Sequence, residues 1–183
     1  MMQVVKPTFR VHELVYCPSM KIPPSALPYL QRGSLAHMAI ESELEARGCE
    51  TEVEITIDRG FYYLQGHVDA IDHDKRIVYE IKPNLKCREY IIQLSAYVEM
   101  AEERYGRKYS GAFILYSQNG YVIQHVTVKR GVLKSLDKVA EALILVTKSG
   151  RILVKRNCFC DRCAFMKCPV KYGLVRMATL KYQ

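Results

Sequence analysis

The sequence has no long apolar run, no internal repeat and no low-complexity linker. Its apolar stretches are far shorter than the roughly 20 residues that cross a membrane, so we expect no membrane-spanning helix. The first seven residues, MMQVVKP, are too short and too mixed for a signal peptide. We therefore expect a cytoplasmic protein, and the length of 183 residues predicts a single domain.

Acidic residues are in deficit, with 19 Asp and Glu against 27 Lys and Arg, which gives a net charge of +8. This excess favours a polyanionic partner such as nucleic acid. The cysteine count is odd, at seven, and no secretion signal is present, which argues against a disulfide framework. Four of the cysteines lie within residues 158–168, a density that indicates metal ligation.

Hydrophobic periodicity predicts four helices, two pairs of strands and one further strand. Pro23, Pro24 and Pro28 predict an irregular connection before the second helix. Leu35, Met38 and Ala39 are expected on the buried side of that helix. The predicted helices cover residues 9–17, about 33–47, 86–105 and 132–148; the strands cover 51–58, a hairpin near 61–82, 109–116 and 121–128. This order predicts an α/β fold, a mixed central sheet flanked by helices, with a cysteine-rich appendage.

The hairpin carries the most informative charges. A turn centred on Asp74 and Lys75 places Asp69 opposite Glu80. Two facing carboxylates repel each other and call for a cation. Lys82 shares the face of Glu80, because strand side chains repeat every second residue. Two carboxylates and an amine are typical of a metal-dependent phosphodiester hydrolase; the alternative is a solvated edge hairpin with cross-strand charges.

Further polar residues flank this hairpin. Gln93 and Tyr97 are four residues apart on the following helix and share one face. His37, on the earlier helix, offers a nitrogen ligand, while Glu41 is expected at the surface, with membership of the metal shell as the alternative. In this order, His37, Gly66-x-x-Asp69, Glu80-x-Lys82 and Gln93-x-x-x-Tyr97 resemble the PD-(D/E)XK nucleases of the RecB type, over about residues 30–130.

The resemblance implies a restriction-endonuclease-like core and a role for each matched residue. His37, Asp69, Glu80 and the backbone carbonyl of Ile81 would hold Mg²⁺ or Mn²⁺. Lys82 would orient the attacking water or help to deprotonate it. Gln93 and Tyr97 would position Lys82 and the DNA backbone. Candidates for stacking on unpaired bases are Tyr62, Tyr63, Tyr90, Tyr97 and Tyr105.

The cysteine-rich segment reads Cys158-x-Cys160-x-x-Cys163-x4-Cys168, and these four alone could hold zinc. Some RecB-like nucleases, including the AddB type and the CRISPR-associated Cas-four exonucleases, instead ligate a 4Fe–4S cluster with one upstream and three downstream cysteines. That resemblance implies Cys17 with Cys160, Cys163 and Cys168 as ligands. Cys158 is a fifth candidate, but the CxxC spacing favours Cys160. Cys49 and Cys87 are interpreted as non-ligands.

The resemblance also implies an organisation and an activity. The nuclease core would span about residues 30–150 of a single domain, and the cluster would join segments 1–29 and 151–183. We expect a metal-dependent exonuclease on single-stranded DNA that trims fragments before CRISPR spacer integration, alongside Cas integrase proteins. The alternatives are a stand-alone RecB-like repair nuclease, or a non-catalytic DNA-binding module with a structural zinc or iron–sulfur site. Homo-oligomerisation is left open.

Overall fold

The structure is a computed structural model that describes residues 6–164, 168–169 and 177–181. Its elements are β1 (Thr8–Arg10), α1 (Val11–Val15), α2 (Leu27–Ala46), β2 (Glu50–Asp58), β3 (Tyr63–Asp72), β4 (Ile77–Lys82), α3 (Arg88–Tyr105), β5 (Ser110–Ser117), β6 (Gly120–Val126), α4 (Val132–Lys148), β7 (Arg151–Lys155) and β8 (Met177–Lys181). Strands β1 to β6 form one mixed sheet, and β7 pairs with β8 in a second sheet. In this part of the chain, no helix is both long and apolar enough to cross a membrane.

The large sheet lies between helices on both faces, so the predicted α/β architecture is confirmed. Helices α1, α3 and α4 bury their apolar sides in one large cluster against strands β2 to β5. On the opposite face, Ile40 and Leu44 of α2 pack in a smaller cluster with Tyr79, Ile81 and Ile114. The segment after α4, which carries most of the cysteines, lies partly outside the described residues.

Several predicted elements are confirmed closely. Strand β2 buries Val53, Ile55 and Ile57 on alternate positions. Strands β5 and β6 pair antiparallel through the turn at Ser117–Gly120. Helix α4 covers the predicted residues 132–148. The carboxylate of Glu99 accepts backbone N–H bonds at its start, where no side-chain cap is present.

The N-terminal third departs from prediction in two places. The helix expected over residues 9–17 is wrong at its start, because Thr8–Arg10 forms β1 and pairs parallel with β3. Helix α2 begins at Leu27 and not near residue 33. Pro28 lies in its first turn, where the missing N–H costs nothing. Leu35 and Met38 were expected to be buried, but they are 67% and 63% exposed.

The hairpin has the predicted register. Strands β3 and β4 pair Ala70 with Tyr79, Ile71 with Val78 and Asp72 with Ile77, which is the register that places Asp69 beside Glu80. The β3–β4 ladder ends at Ala70 and Tyr79, whereas β4 pairs with β5 along its whole length. Strand β1 occupies the same edge of β3 only at residues 63–65. Within the described chain, residues 66–69 of β3 therefore have no strand partner at this edge.

The side-chain alternation of β3 is also interrupted beside this gap. Val68 belongs to the large cluster and Ala70 to the small one, although residues two apart on a strand ordinarily share a face. Strand β2 pairs in regular register with Val68 and Ala70 but not with Asp69. The residue facing Asp69, Glu52, has a φ of 50°, a left-handed conformation that is uncommon for a non-glycine residue. The distortion lets Asp69 approach both α2 and β4.

Candidate functional site

Asp69 lies at the open edge of β3 and contacts two neighbouring elements. Its Oδ2 accepts a 2.6 Å hydrogen bond from the backbone N–H of Ile81 on β4. Its Oδ1 lies 3.8 Å from Nδ1 of His37 on α2. The carboxylate therefore joins the two elements that the sequence predicted as sources of metal ligands.

His37, Glu41 and Asp69 form a group that could hold a metal ion, with one ligand atom from each lying within 4.8 Å of the others. The expectation that Glu41 lies at the surface is wrong, because it is only 8% exposed. Its Oε1 is buried without a hydrogen-bond partner. Burial, and then the nearby carboxylates of Glu52 and Asp69, raise the pKa of Glu41. Its spacing of four residues after His37 was the signal for this position.

Glu80 projects from β4 into the interior and is 1% exposed. Its Oε1 accepts a hydrogen bond from the ammonium group of Lys82, while its Oε2 is buried without a partner. Burial and then the charge of Asp69 raise the pKa of Glu80. A buried carboxylate oxygen without a donor is costly, and a cation beside it would remove that cost.

Lys82 lies on the same face as Glu80, as predicted from the strand period. Burial lowers the pKa of Lys82, but the carboxylates of Glu80 and Asp69 outweigh burial, and the net direction is upward. Lys82 therefore remains an ammonium ion at neutral pH. Its Nζ also lies 5.3 Å from the ring centroid of Tyr90, so the ring and the carboxylate hold it in place.

Glu80 stays apart from the group of three ligands. Among the described residues, no metal-competent group of three includes Glu80. The structure therefore brings the predicted ligands His37, Asp69 and Glu80 to one region. His37 and Asp69 are close enough to share a metal ion with Glu41, whereas Glu80 is not part of that group. Glu80 is instead paired with Lys82.

Gln93 and Tyr97 lie on the α3 face that covers the gap in β3. Gln93 Nε2 donates a 3.0 Å hydrogen bond to the Tyr97 hydroxyl, which is also in hydrogen-bond contact with the backbone of His67. A Cβ added to Gly66 would lie 3.1 Å from the Tyr97 ring, so glycine permits this close approach. The side chain of His67 itself points outward and pairs with Glu52 at 3.2 Å.

The tyrosines expected to stack on bases fall into two classes. Tyr62 and Tyr97 are 0% and 3% exposed, so their assignment as stacking residues is wrong. Tyr62 donates a hydrogen bond to Asp137 instead. Tyr63 is 37% exposed, and Tyr90 is half-buried beside Lys82. Tyr90 is therefore the partly exposed tyrosine of this set that contacts Lys82.

Four cysteines from both ends of the described chain line one cavity. Cys17, Cys160, Cys163 and Cys168 converge there together with Met20, Lys155 and Asn157. Backbone N–H groups donate to their sulfurs: Asn157 to Cys160 at 3.3 Å and Lys21 to Cys163 at 3.4 Å.

The same cavity contains a buried donor that the sequence did not reveal. Asn157 is 7% exposed, and its Nδ2 has no hydrogen-bond partner. No three of the four described sulfurs belong to a group whose ligand atoms all lie within 4.8 Å of one another. Tetrahedral zinc with Zn–S bonds of about 2.3 Å would hold its sulfurs closer than this, whereas a polynuclear cluster spreads them. The described sulfurs therefore lack the close spacing of a preformed tetrahedral zinc site.

Cys158 is engaged elsewhere. Its sulfur forms a disulfide with Cys87, 71 positions away, a pairing that was not predicted from the sequence. The pairing leaves Cys160 as the residue that faces the cavity, in agreement with the CxxC interpretation. Cys49 packs against the small apolar cluster, apart from both sites.

The sequence matches no protein-family model and no curated protein. Two solved structures share its fold. One is the protein SSO0001, with a TM-score of 0.63 and 24% identity over 93% of this chain and 91% of that chain. The other is an alkaline exonuclease, LHK-Exo, from Laribacter hongkongensis, with a TM-score of 0.54 and 13% identity over 78% of this chain and 88% of that one.

Proposed function

We propose that the protein is a metal-dependent DNA nuclease. The proposal rests on the buried carboxylate of Glu80. Its Oε2 has no hydrogen-bond partner among the described residues, its Oε1 is paired with Lys82, and the charge of Asp69 raises its pKa. A divalent cation satisfies that oxygen and offsets the repulsion between the two carboxylates. The fold likeness to an alkaline exonuclease supports the same proposal and favours an exonuclease.

In this proposal, His37, Asp69, Glu80 and the backbone carbonyl of Ile81 hold Mg²⁺ or Mn²⁺, and Glu41 is placed to join them. The bound cation would supply a Lewis acid and lower the pKa of a bound water. An imidazole ligand tilts the preference toward Mn²⁺. The hydrogen bond from Ile81 to Asp69 fixes the direction of one carboxylate before any cation binds.

Four further residues act on the substrate or support the residues that do. Lys82, kept charged by its neighbours, orients the attacking water and stabilises charge that develops on the phosphate. Gln93 and Tyr97 hold the edge of β3 in place beside it. Net charge of +8 favours binding to the DNA backbone, and Tyr90 is placed to contact a base of single-stranded DNA.

The second part of the proposal concerns the cysteines. Cys17, Cys160, Cys163 and Cys168 would hold a 4Fe–4S cluster that joins the N-terminal segment to the C-terminal segment of a single nuclease domain. Its role would be structural, because closing such a long loop removes much of the conformational entropy of the unfolded chain. The cellular role that we propose is trimming of DNA before spacer integration, alongside Cas integrase proteins.

The decisive test incubates the purified full-length protein with end-labelled single- and double-stranded DNA in Mg²⁺, Mn²⁺ or EDTA. Labelling each end in turn gives the polarity. We expect cleavage that EDTA abolishes and that Lys82→Met reduces by about 100-fold or more. Lys75→Met is the matched control, because Lys75 also pairs with an aspartate but lies 68% exposed at the far end of the hairpin.

DNA binding is measured in parallel by fluorescence anisotropy. Lys82→Met should still bind DNA, which would show that the substitution removes the cleavage step and not the binding of DNA. DNA binding without cleavage by the wild-type protein, under every metal condition, would identify a non-catalytic DNA-binding module and overturn the proposal.

A further inference from the structure

The first turn of α3 contains a buried acid beside the disulfide. Cys87 and Cys158 are joined with their Cα atoms 5.5 Å apart. Oε2 of Glu89 lies 3.2 Å from the sulfur of Cys87. Cys87 and Glu89 are 6% and 8% exposed, whereas Cys158 is exposed to solvent. The three residues form a pocket that is open on one side.

The disulfide deprives the carboxylate of Glu89 of a hydrogen-bond donor. A sulfur in a disulfide carries no hydrogen, so Cys87 cannot donate to Glu89 while the bond exists. A buried carboxylate requires donors or a cation. The nearby cation is Lys155, but its ammonium group donates to the backbone carbonyl of Leu14. The environment of Glu89 therefore suits the reduced pair of cysteines better than the oxidised pair.

The three side chains are close enough to share one metal ion once the disulfide is reduced. One ligand atom from each of Cys87, Glu89 and Cys158 lies within 4.8 Å of the others. Two thiolates and a carboxylate are a donor set that Zn²⁺ binds, with water in a fourth position. We propose that the reduced chain binds one Zn²⁺ through Cys87, Cys158 and Glu89, and that the disulfide and the zinc ion exclude each other.

The exchange between the two states balances. A cellular dithiol gives two electrons and two protons to the Cys87–Cys158 disulfide and becomes a disulfide itself. Zn²⁺ then displaces the two thiol protons and binds the two thiolates, which also gives the Glu89 carboxylate a cation. In reverse, an oxidant of the diazene class takes two electrons from the zinc-bound thiolates and two protons from water and becomes a hydrazine, the S–S bond forms and Zn²⁺ leaves.

This site is separate from the other two and does not depend on the nuclease proposal. Its ligands are not those of the cysteine cavity, and they are not the carboxylates around Asp69. The site is nevertheless close to both of them along the chain. Cys87 immediately precedes α3, the helix that carries Tyr90 and Gln93, and Cys158 lies two residues before Cys160.

The test measures zinc binding to full-length protein that has been reduced with a phosphine under anaerobic conditions or oxidised with diamide. The other cysteines also bind zinc, so the informative quantity is the difference from Cys158→Ser. Reduced wild type and the control Cys49→Ser should each hold one more Zn²⁺ than Cys158→Ser. Glu89→Gln should bind that ion about 10-fold more weakly or worse. Oxidised wild type should hold no more than Cys158→Ser.

A second measurement needs no variant. Zn²⁺ should protect Cys87 and Cys158 of the reduced wild-type protein from alkylation by N-ethylmaleimide, as read by peptide mass spectrometry. Peptide mapping after diamide should recover Cys87 linked to Cys158. Equal zinc content in reduced wild type and Cys158→Ser, or alkylation of both cysteines regardless of zinc, would overturn the proposal, whatever the nuclease assay gives.

Discussion

The hydroxyl of Tyr16 donates a 3.0 Å hydrogen bond to the side-chain oxygen of Gln93, 77 positions away. Gln93 in turn donates to Tyr97, which contacts the backbone at His67. Because Tyr16 immediately precedes Cys17, this chain of hydrogen bonds runs from the cysteine cavity to the edge of β3 beside Asp69.

Tyr16→Phe should break this connection without changing the packing volume. The side-chain oxygen of Gln93, a residue 8% exposed, would lose its donor. Leaving a buried acceptor unpaired costs about 1–3 kcal/mol, so urea unfolding should shift by that amount. DNA cleavage should also fall, because Gln93 and Tyr97 lose their fixed orientation. Tyr29→Phe is the control, since Tyr29 is 70% exposed and should change neither quantity.

Gly66→Ala should disturb the contact between β3 and Tyr97 of α3. The added methyl group would lie 3.1 Å from the Tyr97 ring and from the thioether of Met100, which is itself fully buried. Overpacking of this kind costs about 1–3 kcal/mol. Thermal unfolding measures the cost. Gly33→Ala is the control, because its Cβ would make an ordinary 3.4 Å contact with Tyr116; an equal loss in both variants would refute the steric explanation.

The parts of the fold that sequence reasoning predicted are those set by local chemistry. The polar turn around Asp74 and the period-two apolar pattern predicted the register of β3 and β4, and the structure has that register. Asn119-Gly120 predicted the next hairpin correctly. In each case the information lies within about ten residues of the chain, where turn type and side-chain period suffice.

The errors concern information that is not local. Pro28 was interpreted as a break, although the first turn of a helix tolerates proline. The burial of Glu41 depends on the distortion of β2 and β3 at Glu52 and Asp69. No sequence pattern predicts that distortion. Strands β7 and β8 and the Cys87–Cys158 disulfide depend on contacts between distant segments.

The ion pair of Asp137 and Arg59 should produce a measurable acid dependence of stability. Burial raises the pKa of Asp137, but hydrogen bonds from Arg59 and Tyr62 outweigh it, and the pKa is lowered from its ordinary value of 3.8. The stabilisation is therefore present above that value and is lost as the pH falls through the lower, folded-state pKa. Asp137→Asn should destabilise the protein by about 1–3 kcal/mol at neutral pH.

The difference between Asp137→Asn and wild type should shrink as the pH falls, and urea unfolding at a series of pH values measures this. The control is Asp74→Asn, at an exposed position in the hairpin turn. A difference that stays constant down to the acid limit would show that the carboxylate charge of Asp137 contributes nothing.

Cys17→Ser tests whether the two ends of the chain share one metal centre. Cys17 comes from the N-terminal segment, and the other three sulfurs in the cavity come from beyond α4. With a shared 4Fe–4S cluster, the anaerobically purified wild type should be brown and contain iron and sulfide. Cys17→Ser should lose most of both and become more sensitive to proteolysis after α4, because the C-terminal segment then loses its cluster link to the N-terminal segment. Cys49→Ser should keep its iron and its resistance. Wild-type protein that is colourless and contains zinc, or Cys17→Ser protein with full iron content, would contradict this assignment.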